Sequence, residues 1–108
     1  MTRRDLLPGM LDMLILKTLS IQSMHGYGIA QQLLRLSKDV IQVEEDSLYP
    51  ALQRMRQKGW IKAEWRQTPN KQRARYYMIT TGGQQQLGEQ EDGFKELIAA
   101  VRRIMNPA

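Results

Sequence analysis

The sequence predicts a mainly α-helical fold with a small β-hairpin: three helices, the hairpin, then one long helix. Three observations carry that expectation. Apolar residues recur at helical spacing in three blocks before Gly59. Apolar and charged residues then alternate through Ile61-Lys62-Ala63-Glu64-Trp65-Arg66, the period of a half-buried strand. A stripe with seven-residue repeats, Leu87–Phe94–Val101 and Ile98–Met105, closes the chain.

Pro8-Gly9 opens the first segment. Between Met10 and Ile21 apolar side chains are too frequent for one stripe, so this helix is expected to be buried on most sides. Met24-His25-Gly26 breaks it, and a second helix runs from about Tyr27 to Leu36, with Ile29, Leu33 and Leu36 on one face. Val40–Val43 reads as a short extended piece. In the acidic cluster Glu44-Glu45-Asp46-Ser47, Asp46 or Ser47 can cap a third helix by accepting from its free amides. Pro50 would then fall in the first turn, where its missing N–H costs little. Leu48, Leu52 and Met55 face inward, and Lys58-Gly59 ends the helix with a cation and a glycine C-cap.

After the first strand, Thr68-Pro69-Asn70-Lys71 is turn material, and Ala74–Ile79 is the returning strand. Either Tyr76 or Tyr77 faces the core. Thr81 with Gln84 matches a capping box, so the last helix is expected from about 81 to 105, roughly 37 Å long.

Composition narrows the function. The chain has 108 residues, 42% hydrophobic and 25% charged, which fits one globular domain or one with an appendage. No apolar run approaches the ~18 residues of a membrane span, and Met1-Thr2-Arg3-Arg4-Asp5 is not followed by a leader-like apolar stretch. Cysteine is absent, which removes disulfides, thiolate metal sites and cysteine nucleophiles and fits a cytoplasmic setting. One histidine, no Ser/His/Asp set and no Gly-rich phosphate loop argue against an enzyme, and no cofactor is expected. Glu44, Glu45 and Asp46 are adjacent on an extended piece and diverge, so capping explains them better than metal binding. The seven methionines read as core filler.

The net charge of +5 is concentrated. Residues 59–79 hold Lys62, Arg66, Lys71, Arg73 and Arg75 against the single acid Glu64. A basic patch on a hairpin tip points to a polyanion, nucleic acid before membrane. Three helices followed by a hairpin is the order of a winged helix-turn-helix. A helix about 10–12 Å across fits the major groove, the preceding helix braces it, and the hairpin reaches the adjacent backbone. The third helix suits the reading role: Gln53 can pair bidentately with adenine and Arg54 with guanine. Its N-terminus offers amides and a positive dipole to phosphate.

The strings His25-Gly26-Tyr27-Gly28-Ile29-Ala30, Ser47-Leu48-Tyr49-Pro50-Ala51-Leu52-Gln53-Arg54-Met55, Gly59-Trp60-Ile61 and Arg73-Ala74-Arg75-Tyr76-Tyr77-Met78-Ile79-Thr80 resemble those of PadR-family transcriptional regulators, over about residues 9–88. The single C-terminal helix resembles the smaller branch of that family. Gly28 and Asp46 stand where the family often has Glu and Gly, and Met78 where Arg is usual. The resemblance implies a homodimeric repressor that releases double-stranded DNA when a small-molecule or stress signal acts. The alternative is a winged-helix module that binds protein or RNA through the same surface.

The expected organisation is a winged helix-turn-helix DNA-binding domain over residues 1–80 and a C-terminal dimerisation helix over 81–108. Expected DNA contacts are Tyr27, Ser47, Tyr49, Pro50, Gln53, Arg54, Lys71, Arg73 and Arg75. Tyr49 could instead seal the helix start against the wing, and Arg73 and Arg75 could instead pair with Glu64 across the hairpin. His25 reads as a helix-boundary residue. The expected dimer interface is Leu87, Phe94, Leu97, Ile98, Val101, Ile104 and Met105.

Overall fold

The computed structural model describes Leu6 and residues 9–108; Pro8 and the basic residues Arg3 and Arg4 lie outside them. Helix α1 spans Met10–Ile21, strand β1 Met24–His25, α2 Gly26–Leu36, α3 Glu45–Gln57, β2 Ile61–Gln67, β3 Arg73–Ile79 and α4 Thr81–Met105. Four helices and a small antiparallel sheet agree with the fold the sequence predicts.

Helix α1 is buried on most sides, with Ile15 and Leu16 fully enclosed. It packs against α2, α3, α4 and β3. Ile29 of α2, Leu48, Leu52 and Met55 of α3, Ile61 of β2 and Tyr77 of β3 complete one core around it. Burial of such side chains contributes about 1.5–3 kcal/mol each, so α1 is the element on which the others depend.

The caps bear out the reading of His25 as a helix-boundary residue and correct the sequence reading at α3 and α4. His25 caps α2, its Nδ1 accepting from the Gly28 amide at 3.0 Å, so the helix starts at Gly26. Helix α3 starts at Glu45 after Glu44, with no side-chain cap; Ser47 and Leu48 donate their amides to the Glu44 carbonyl. Asp46 and Ser47 therefore sit inside the first turn and cap nothing. There the negative charges of Glu45 and Asp46 suit the helix dipole. Pro50 consequently falls in the second turn, where its missing N–H leaves the Asp46 carbonyl without its helical donor. Thr80, rather than Thr81, caps α4: its Oγ1 accepts from the Gly83 amide at 3.0 Å and donates to the Gly59 carbonyl at 2.6 Å.

The end of α3 matches expectation. Gly59 adopts φ +78°, the Gly59 amide donates to Arg56 and the Trp60 amide to Met55, the pairing of a Schellman cap. The chain then enters β2 directly.

The sheet has three strands in the order β1–β3–β2, one more than the expected hairpin. Met24 and His25 pair with Tyr77 and Tyr76; two residues are too few for any period to reveal. Strands β2 and β3 pair from Ile61↔Ile79 to Gln67↔Arg73. Thr68 closes the turn, its amide bonding to the Gln72 carbonyl while its Oγ1 accepts from the Gln72 amide. Lys71 takes a left-handed φ of +62° there. Tyr77 is the buried tyrosine. Tyr76 faces the other side, edge-on to His25 at 5.3 Å and under the Arg66 guanidinium.

Helix α4 begins in the core and leaves it. A Cβ on Gly83 would overlap the Trp60 carbonyl oxygen, so only glycine lets the helix dock there. Leu87 is buried in the core of its own chain, which removes it from the expected dimer stripe. Phe94 is half-buried against the same core. Beyond it the helix runs out from a molecule 57 Å long and 22 Å thick.

Candidate nucleic-acid interface

A groove of about 950 Å³ lies between the start of α2, Tyr49 of α3 and the β2–β3 hairpin. Its floor includes Gly26 and Tyr77, and its walls carry Tyr27, Trp65, Arg73 and Arg75. The α2 N-terminus brings its positive dipole end to the groove. The two arginines face it from the hairpin. Among the described residues neither guanidinium has a carboxylate partner, because Glu64 instead receives Arg66. The Arg66 guanidinium also reaches Ser23 Oγ at 3.2 Å and so braces the hairpin against the end of α1.

Tyr49 lies across the α2 N-terminus. A Cβ at Gly26 would come within 2.8 Å of its hydroxyl oxygen, so glycine is what admits the ring. Burial, then the Glu45 carboxylate, then Tyr77 raise the Tyr49 phenol above its ordinary value near 10. The hydroxyl therefore stays protonated and remains a donor. The ring seals the start of α2 and lines the groove.

The groove gathers Tyr27, Tyr49, Arg73 and Arg75 of the expected contacts. Ser47 and Pro50 are exposed on α3 outside it, and Lys71 is exposed at the hairpin tip. Gln53 lies in a second hollow of about 360 Å³ with Arg56, Gln57 and Lys62; its Oε1 accepts from Arg56 at 3.3 Å. Arg54 has a partner within the chain that spacing could not reveal. Its Nη2 donates to Asp12 Oδ1 at 2.7 Å, bridging α3 to α1.

Trp65 is a groove residue the sequence reading missed. It is 57% exposed, although it continues the inward face of Ile61 and Ala63. The alternation identifies the face but not where the core stops: past Ala63 that face becomes groove wall.

On α4, Leu97, Val101, Ile104 and Met105 are exposed and Ile98 is half-buried. A hollow of about 210 Å³ between α1 and α4 is lined by Met10, Met13, Phe94 and Leu97. Among the described residues no cluster of His, Cys, Asp or Glu could hold a metal ion, and no helix is long and apolar enough to cross a membrane.

Residues 15–89 match the model of the transcriptional regulator PadR-like family. An uncharacterised protein of Lysinibacillus sphaericus is 32% identical over 89 residues, 82% of each chain. A PadR-like transcription factor from Bacteroides fragilis is similar at 31% identity with a TM-score of 0.72, covering 89% of this chain and 90% of that one. A PadR family regulator from Eggerthella lenta is similar at 28% identity and a TM-score of 0.79, over 93% and 85% of the two chains.

Proposed function

The chain belongs to the PadR-like family of transcriptional regulators, and we propose that it is a cytoplasmic repressor that binds a palindromic operator in double-stranded DNA as a homodimer. Members of this family are regulators, not enzymes. The observation that carries the reading is the groove, where Arg73 and Arg75 face the α2 N-terminus without a carboxylate to neutralise them. Phosphate fits that arrangement. Helix α3 supplies Gln53 for base contact, with Ser47 and Pro50 near its start and Lys71 at the hairpin tip as further backbone contacts. Arg54 stays with Asp12 and fixes the pitch of α3 on α1.

Residues 1–80 then form the DNA-binding part, and 81–108 pair the two copies, with the first turns of α4 anchored through Leu87. The bare stripe Leu97, Val101, Ile104 and Met105 supports pairing, since contiguous exposed apolar surface marks an interface and a two-fold contact buries both stripes. Two reading helices so related address half-sites about 34–36 Å apart. The hollow between α1 and α4 supports release by a small-molecule signal, because a ligand there would alter the angle at which α4 leaves.

Selection of bound duplexes from random DNA tests the reading. A two-fold-symmetric site whose log affinity falls with log salt by about 0.9 per phosphate neutralised is expected. Capture of protein or RNA without duplex binding would replace it with the interaction-module reading. Leu97→Asp with Val101→Asp should give a folded monomer in sedimentation and lose tight binding to the palindrome. A parent protein that sediments as a monomer at micromolar concentration overturns the dimer.

A further inference from the structure

Strands β2 and β3 extend past the core, and the face that begins with Ile61, Ala63 and Tyr77 ends with Trp65, Arg75 and Arg73. Trp65 and Arg75 are direct partners in register. Both guanidinium carbons approach the same indole, Arg73 at 5.4 Å and Arg75 at 5.8 Å from the ring centroid. These distances lie within the ~6 Å range of cation–π attraction. Arg75 Nε is buried and has no hydrogen-bond partner, so no polar contact at that atom explains where its side chain lies. An exposed tryptophan at the edge of the groove thus has two cations gathered on it.

The physical consequence concerns order. An arginine on a solvated hairpin samples many rotamers, and two neighbouring guanidinium groups repel. The indole attracts both and limits their rotamers. Stacking uses the face of a guanidinium and leaves its terminal in-plane N–H donors for an anion. We propose that Trp65 is a positioning residue of the wing: it holds Arg73 and Arg75 oriented toward the groove, so that a phosphate of duplex DNA meets donors already in place. The inference rests on the DNA-binding reading above and names what makes its wing competent.

A double-mutant cycle tests it. Binding to the selected duplex is measured across a salt series for the parent, Trp65→Leu, Trp65→Phe, Arg73→Ala with Arg75→Ala, and that pair combined with Trp65→Leu. Trp65→Leu should weaken binding roughly fivefold to thirtyfold. Trp65→Phe should recover most of the loss. In the background without the two arginines, Trp65→Leu should change nothing further. An equal loss in both backgrounds would mean that the indole touches DNA itself and would overturn the positioning role. So would parent-like binding by Trp65→Leu. A double-arginine variant with unchanged affinity and salt slope would instead sink the wing as a DNA contact, a separate outcome. Amide and side-chain nitrogen relaxation on the free protein gives a reading independent of DNA. The Arg73 and Arg75 Nε–H groups should be ordered in the parent and mobile in Trp65→Leu and, less so, in Trp65→Phe. Unchanged mobility in both variants overturns the proposal.

Discussion

Replacing Arg54 by alanine separates two roles for one guanidinium: the brace to Asp12 and a contact with a base. The side chain of Asp12 is 10% exposed and that of Arg54 48%. Their 2.7 Å contact joins α1 to α3 over 42 residues of chain. Removing Arg54 strands an almost buried carboxylate. Breaking a fully buried pair costs ~3–5 kcal/mol, whereas an exposed pair is worth ~0.2–1 kcal/mol. With one partner half in water, screening places the expected loss at about 1–2 kcal/mol. For a chain of this size that is a fall in Tm of roughly 5–15 °C at fixed protein concentration. Asp12→Ala with Arg54→Ala should then be less harmful than the sum of the two changes, a coupling of ~1 kcal/mol. Gln53→Ala should do the opposite: Tm within the ~0.5 kcal/mol scatter of a surface change, but ~1–3 kcal/mol lost on the preferred site and relaxed choice at one base. Thermal unfolding and competition binding on the same samples decide it. If Arg54→Ala keeps the parent Tm and loses preference at one base pair, the guanidinium reads DNA and the brace to Asp12 is incidental.

Three further outcomes are expected. Gly83→Ala drives a methyl group into the Trp60 carbonyl oxygen and should cost at least ~2 kcal/mol in denaturant unfolding; an unchanged midpoint would refute the close docking of α4. His25→Ala removes the acceptor for the Gly28 amide and should cost about 1 kcal/mol, with His25→Asn restoring most of it; equal losses in both would show that the edge contact with Tyr76 matters more than the cap. The raised Tyr49 phenol binds its proton more tightly folded than unfolded. Its contribution is therefore complete below the unfolded value near 10 and fades as pH rises through the folded one. Spectrophotometric titration of the parent against Tyr49→Phe should show one phenol ionising late, and an ordinary titration would refute the packing of the ring over the α2 N-terminus.

All four helices and the hairpin were legible because each writes its period into local sequence: Leu48, Leu52 and Met55 at helical spacing, Ile61, Ala63 and Trp65 at strand spacing. What escaped depends on distance along the chain or on the reach of the core. Asp12 and Arg54 each look like surface charges until α1 and α3 pack. Asp46 and Ser47 are good cap residues placed inside a helix whose start is set by the Glu44 carbonyl. Trp65 has the parity of a core residue but lies beyond the last one. Leu87 and Val101 share a stripe, yet one is enclosed and the other bare, because the lobe that covers the start of α4 is shorter than the helix.

The groove shows how far such convergence goes. Its walls come from Tyr27, Tyr49 and the hairpin residues Trp65, Arg73 and Arg75, three regions that no local pattern connects. What joins them is contact at two small positions. Gly26 has no side chain, so Tyr49 can lie over the α2 N-terminus. His25, just before it, both caps α2 and pairs in register with Tyr76 of β3. One dipeptide thus ties α2, α3 and β3 to a common point.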